Sequence, residues 1–186
     1  MKMSSNAVLD TCGYKGIKRV LISEEEIREG VRKAGRDITS RYMGKPLLLV
    51  SVLKGAFVFM ADICREVKTP CEIGFMACES YGSGTVSAGE VRLTMDLKAD
   101  ISKYHVVIIE DIIDTGRTLA KLGDMLMARE PLSLEVYALL DKPDRREVDF
   151  KADHTIFTVP DLFVVGYGLD CGEQYRNLPY IAEAEL

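Results

Sequence analysis

Three short stretches of this chain hold almost nothing but apolar residues: LLLVSV at 47–52, HVVII at 105–109 and LEVYALL at 134–140. Each is too short for a stable helix and too apolar to have a wet face, so each is expected to be a strand buried on both sides. Such a sheet needs cover on both faces, and helical patterns lie between the runs. Ser23 and Glu26 form a capping box, after which Ile27, Val31, Ala34, Ile38 and Tyr42 recur at steps of four or three. Gly44 and Pro46 close that helix. A second runs from Ala56 to Val67 through Phe57, Met60, Ala61 and Cys64, and a third follows Asp114 with Leu119, Leu122, Leu126 and Ala128 on one face. CEIGFMAC at 71–78, VRLTM at 91–95, HTIFTV at 154–159 and FVVGY at 163–167 read as further strands, while the tail DCGEQYRNLPYI has no clear period. The alternation predicts an α/β fold, a mainly parallel twisted sheet flanked by helices, with any ligand at the C-terminal ends of the strands.

A length of 186 residues suits one domain. The 24 Lys and Arg against 29 Asp and Glu leave a net charge of −5, which gives no general attraction to nucleic acid or to an anionic membrane. Neither is expected as a partner. The five cysteines include no C-x-x-C pair, so no disulfide framework or zinc site is indicated. The most apolar stretch, 47–60, is broken by Lys54 and Gly55, and Lys2 is followed by no apolar signal region. A reduced, soluble, cytoplasmic protein is expected.

The chemistry gathers where the strand at 105–109 runs into acid. Val106 to Leu119 reads VVIIEDIIDTGRTL, which sets Glu110, Asp111 and Asp114 at a strand end just before a helix. Asp114 or Thr115 could simply cap that helix, with the other acids in solvent. The other reading uses more of the residues. Backbone N–H groups from Asp114 through Thr115, Gly116 and Arg117 to Thr118, with the two threonine hydroxyls, make an anion cradle at a helix N-terminus. Glu110 and Asp111 can then accept hydrogen bonds from sugar hydroxyls, directly or through Mg²⁺, so a ribose 5-phosphate is implied. The P-loop and dinucleotide glycine patterns are absent. ESYGSGTVSAGE at 79–90, with glycines at 82, 84 and 89, is expected to be a mobile loop.

This stretch resembles the phosphoribosyl pyrophosphate signature of type I phosphoribosyltransferases. Four further segments in order narrow the resemblance to hypoxanthine-guanine phosphoribosyltransferases of the bacterial kind: VSVLKGAFVFMADI at 50–63, ESYGSGT at 79–85, LLDKPDRR at 139–146 and FVVGYGLDCGEQYRNLPYI at 163–181. The resemblance implies one domain over 1–186, with a core over about 40–160 and a small hood built from about 1–22 and 161–186. It implies transfer of the 5-phosphoribosyl group from Mg-bound phosphoribosyl pyrophosphate to N9 of hypoxanthine or guanine, through an oxocarbenium-like transition state that must be shielded from water.

The same resemblance assigns roles. Lys54 and Gly55 match the pyrophosphate loop, whose Leu53–Lys54 peptide is often cis in the family, and Arg176 is the second pyrophosphate contact. Asp170 matches the holder of a second Mg²⁺, beside the ribose acids Glu110 and Asp111. Asp114 matches the general base that receives the purine N7 proton, a role compatible with capping. Lys142 matches the donor to purine O6, Phe163 the ring that stacks on the base, and Val164 the backbone that reads its edge. Ser80 and Tyr81 match a lid over the pyrophosphate. A homodimer or homotetramer is also implied.

Glu79, Leu162 and Cys171 depart from the usual family residues without touching a proposed catalytic position. Glu147 to His154 reads as a polar connecting loop, and His105 and His154 as structural or surface residues. The rival readings are a xanthine-preferring phosphoribosyltransferase, a non-catalytic sensor of phosphoribosyl pyrophosphate with the same fold, and a plain α/β domain with a solvated acidic loop.

Overall fold

The computed structural model describes residues 16–80 and 91–185. Its elements in chain order are β1 (Ile17–Ile22), α1 (Glu24–Tyr42), β2 (Leu47–Leu53), α2 (Phe57–Glu66), β3 (Glu72–Ser80) and β4 (Val91–Met95). There follow β5 (His105–Ile113), α3 (Arg117–Met127), β6 (Ser133–Asp141), β7 (His154–Thr158), β8 (Val164–Val165) and β9 (Ile181–Ala184). The central sheet has the order β4-β3-β2-β5-β6-β7, parallel throughout except for β4, which pairs antiparallel with β3. This is the α/β class expected from the buried runs.

The alternation of side chains along β5 explains the two layers of cover. Val107 and Ile109 join Ile27, Val31 and Ile38 of α1 and Phe59 and Ile63 of α2 in one cluster. Val106 and Ile108 join Leu119, Leu122 and Leu126 of α3 in the other. The capping box of α1 is formed: the Glu26 N–H donates to Ser23 Oγ at 3.3 Å, and the Ser23 N–H donates to Glu26 Oε2 at 2.8 Å. Ser23→Ala is therefore expected to cost about 1 kcal/mol, a fall of about 2–4 °C in Tm by calorimetry, and an unchanged Tm would show the cap to be dispensable.

Several boundaries differ from the sequence reading. β5 does not stop at Ile109 but carries Glu110 and Asp111 within the ladder and ends at Ile113. Glu79 and Ser80 are not loop residues; they end β3, paired with Arg92 and Val91. FVVGY shrinks to the two-residue β8. The helix after Asp114 is capped by neither Asp114 nor Thr115. Its N-cap is Gly116, at φ 80° and with no side-chain cap bond, because the turn out of β5 needs a left-handed residue there. The Thr115 hydroxyl instead accepts from the Arg117 N–H at 3.4 Å.

β1 and β9 were not expected as strands. They pair antiparallel, Ile17 with Ala184 and Val20 with Ala182, and β8 joins them to make a three-stranded sheet. Glu183 is buried there and accepts from Lys18 Nζ at 2.9 Å and Arg19 Nε at 2.7 Å, which answers the cost of a buried carboxylate in β9.

Candidate active site

The adjacent parallel strands β2, β5 and β6 each end one residue before a candidate: Lys54 follows Leu53, Asp114 follows Ile113 and Lys142 follows Asp141. The β5–β6 register, Ile113 opposite Asp141, is carried one step further by the Lys142 N–H, which donates to the Ile113 carbonyl at 2.9 Å. Lys142 is thereby held beside Asp114. Residues far apart in sequence reach one edge because parallel strands finish there together.

On the β2 side the chain folds a cationic corner. The Leu53–Lys54 peptide is cis. A Cβ on Gly55 would lie 1.7 Å from Asp111 Oδ2, and a Cβ on Gly168 would lie 2.1 Å from the Gly55 carbonyl oxygen. The loop after β2 is thus clamped between the end of β5 and the tail. Lys54 Nζ pairs with Glu173 Oε2 at 3.0 Å. Arg176 donates to the Gly168 carbonyl at 2.8 Å, and its Nη2 lies 2.9 Å from Asp170 Oδ1 and 3.4 Å from Glu173 Oε1. The Glu173 N–H donates to Asp170 Oδ2 at 2.9 Å. Tyr167, Glu173 and Tyr175 all carry positive φ, backbone strain of the kind that accumulates at ligand sites.

Glu110 and Asp111 are neighbours in β5, where the ladder to β6 pairs Glu110 with Ala138 and then Ile112 with Leu140. Both are buried. Asp111 faces Gly55, and its carboxyl is pushed up to about 6, first by burial and further by Asp170, with backbone N–H groups and Arg176 opposing. Burial and the charge of Asp111 push Glu110 well above the carboxylate range, and Glu110 in turn raises the half-buried Cys78 thiol, which is shifted first by its own burial. Among the described residues the buried Glu110 Oε2 has no hydrogen-bond partner. Among the described residues no group of three or more His, Cys, Asp or Glu is arranged to hold a metal ion by itself. The separated hard oxygens of Glu110, Asp111 and Asp170 fit Mg²⁺ that takes its other ligands from substrate phosphates and water.

On the β6 side, Asp114 Oδ1 accepts from Arg145 Nε at 3.0 Å, and the Asp114 carbonyl accepts from Arg146 Nη1 at 2.6 Å. Arg146 also pairs with Asp141. Arg145 reaches Asp161 Oδ1 at 3.7 Å, which ties the approach to Phe163 to the same corner. Lys142 is buried, Phe163 is 42 % exposed, and Val164 is buried in the second sheet. The stretch after Arg146 is more than a connection. The Glu147 N–H donates to the Thr115 carbonyl at 3.0 Å and its carboxylate takes Arg117 Nε at 2.6 Å, so it braces the turn at 114–117. Thr118 is half-buried in the first turn of α3, and the Arg117 side chain is committed to Glu147.

Ser80 ends β3, and Tyr81 lies outside the described residues. His105 contacts Ser133 at 2.8 Å and His154 stacks on Tyr137 at 4.1 Å, and both open their strands, β5 and β7, at the end opposite the candidate residues. The sequence reading missed Arg145, Arg146, Glu147 and Glu173, although the first three directly follow the LLDKPD stretch and Glu173 lies midway between Asp170 and Arg176. Two cavities, of about 480 and 460 Å³, lie elsewhere: one between α1, α2 and the tail, sharing Tyr167 and Arg176 with this corner, the other between α1 and β7. The polar groups with chemistry converge at the open strand ends instead. No described helix is long and apolar enough to cross a membrane.

Comparison with known proteins bears on the same residues. The phosphoribosyl transferase domain family matches residues 18–171. The chain is 51% identical over 168 residues to the bifunctional protein TilS/HprT of Listeria monocytogenes, covering 90% of this chain and spanning about a quarter (26%) of that relative's length. It is 49% identical over 165 residues to the hypoxanthine-guanine phosphoribosyltransferase of Streptococcus pneumoniae, covering 89% of this chain and 92% of the relative. A crystal structure of a hypoxanthine phosphoribosyltransferase from Staphylococcus aureus superposes with a TM-score of 0.89 at 43% identity, covering 98% and 97% of the two chains. With the family matched from β1 through Asp170 and the fold shared along nearly its whole length, the chain belongs to the phosphoribosyl transferase domain family.

Proposed function

We propose that the chain salvages purines, transferring the 5-phosphoribosyl group of phosphoribosyl pyrophosphate to N9 of hypoxanthine or guanine and releasing pyrophosphate. One observation carries this reading: β2, β5 and β6 deliver a lysine, an aspartate and a second lysine to one edge. The reaction needs a cation at the leaving group, a base at the purine and a donor at its 6-position, in that order.

Lys54 and Arg176 bind the pyrophosphate, and Asp170, Glu110 and Asp111 would hold Mg²⁺ beside it. When bound, Mg²⁺ neutralises charge that builds on the leaving group. Glu110 and Asp111 fix the ribose hydroxyls, and the amides at 115–118 take the 5-phosphate at the start of α3. Asp114 receives the N7 proton as N9 bonds to the anomeric carbon and the carbon–pyrophosphate bond breaks. Arg145 orients that carboxylate through an exposed pair that is cheap to displace. Phe163 stacks on the purine and Val164 reads its edge.

The test is a spectrophotometric assay with Mg²⁺ and phosphoribosyl pyrophosphate, offering hypoxanthine, guanine, xanthine and adenine separately. Turnover of hypoxanthine or guanine with adenine inert is expected. No turnover of any base while phosphoribosyl pyrophosphate still binds would make the chain a sensor, and turnover of xanthine alone would shift its substrate. Lys142→Met keeps the buried stem and removes the donor, so KM for the 6-oxopurine is expected to rise about 10–100-fold with adenine still unused, and an unchanged KM would remove Lys142 from base recognition.

A further inference from the structure

We propose that Glu173 is an internal stand-in for pyrophosphate: its carboxylate bridges Lys54 and Arg176 when the site is free, and the incoming pyrophosphate displaces it. This inference rests on the reading of Lys54 and Arg176 as the pyrophosphate contacts.

Three observations support it. Glu173 Oε2 lies 3.0 Å from Lys54 Nζ and Oε1 lies 3.4 Å from Arg176 Nη2, so one carboxylate joins two cations that come from chain segments more than a hundred residues apart. Its backbone is committed to the position, with φ 67° in the left-handed region and its N–H bonded to Asp170 Oδ2 at 2.9 Å. Its side chain is 64 % exposed and that of Lys54 68 %, so the bridge stands at the mouth of the corner, where a soluble anion arrives. Bare neighbouring cations repel each other. A carboxylate between them holds both close to the positions a polyanion needs, while its exposure keeps the bridge weak enough to yield. Asp170 also pairs with Arg176, but by its own contact at 2.9 Å, and it leaves Lys54 to Glu173 alone among the ion pairs of the described residues.

Glu173 is on this account a positioning residue, and it competes with the substrate's leaving group. Titration calorimetry with Mg-pyrophosphate on the whole protein tests it in three variants. Glu173→Gln removes the competing charge and is expected to tighten pyrophosphate binding about two- to five-fold, the range set by losing one exposed ion pair. KM for phosphoribosyl pyrophosphate is expected to fall by the same factor, with kcat unchanged or reduced by slower pyrophosphate release. Glu173→Asp keeps a carboxylate and is expected to restore much of the wild-type affinity. Glu66→Gln removes a like charge from the neighbouring cavity that Arg176 also borders, and is expected to change nothing.

Equal or weaker pyrophosphate affinity in Glu173→Gln would overturn the proposal, as would equal tightening in Glu66→Gln, which would reveal a general charge effect. Wild-type protein that binds no pyrophosphate and turns over no base would instead overturn the functional reading beneath it. The two failures are therefore distinguishable.

Discussion

Asp114→Asn is expected to leave the protein folded, with Tm within a degree or two of the wild type, and to lower kcat about 10²- to 10⁴-fold. Asn has the shape of Asp and an amide oxygen that still accepts from Arg145 Nε, now 3.0 Å from Asp114 Oδ1. The backbone anchor, Arg146 Nη1 to the Asp114 carbonyl, does not involve the side chain at all. Since α3 is capped at Gly116, no helix-capping bond is lost either. What disappears is the capacity to take a proton. KM for phosphoribosyl pyrophosphate should change little, because the cationic corner belongs to other elements. Near-normal kcat in steady-state assays would sink the general-base role.

The second large effect is expected at a glycine outside the proposed substrate contacts. Gly168 has φ 102°, where side chains other than glycine are strained, and an added Cβ would lie 2.1 Å from the Gly55 carbonyl oxygen. Backbone cannot rotate out of the way as a side chain can. Gly168→Ala is expected to cost about 2–3 kcal/mol, a fall of about 5–10 °C in Tm, by strain and overpacking together. The cheapest relief is for the loop carrying Lys54 and Gly55 to retreat from the tail, so pyrophosphate affinity should collapse while the remaining protein still folds. Wild-type Tm and wild-type pyrophosphate binding would show that the tail does not clamp that loop.

The fold was legible wherever burial is imposed on both faces or along one stripe. LLLVSV, HVVII and LEVYALL admit few alternatives, and the α1 stripe from Ile27 to Tyr42 is reproduced as that helix's buried face. β1 and β9 were not legible for the opposite reason. IKRVLI is mostly exposed or half-exposed, IAEA is four residues long, and their partnership joins Ile17 to Ala184, a pairing that no local pattern reports. The acidic strand end from Glu110 to Thr118 was legible in the residues themselves, whereas Lys54, Lys142, Phe163, Asp170 and Arg176 came from the resemblance. Their partners did not, because Arg145, Glu147 and Glu173 are charged surface residues by composition, and only tertiary placement brings each to a candidate residue.

The order of strands in the sheet carries a last consequence. Lys54 and Lys142 leave β2 and β6, with β5 and Asp114 between them. Two strand spacings come to about 10 Å, so the hydrogen-bonded sheet acts as a ruler laid across the reaction, and its length is set by backbone geometry rather than by any side chain. On the proposed function, substitutions at the β6 end are expected to alter base preference while leaving pyrophosphate binding near wild type. A substrate whose two recognised ends are spaced differently would require a different strand order, a change that point mutations in this chain cannot make.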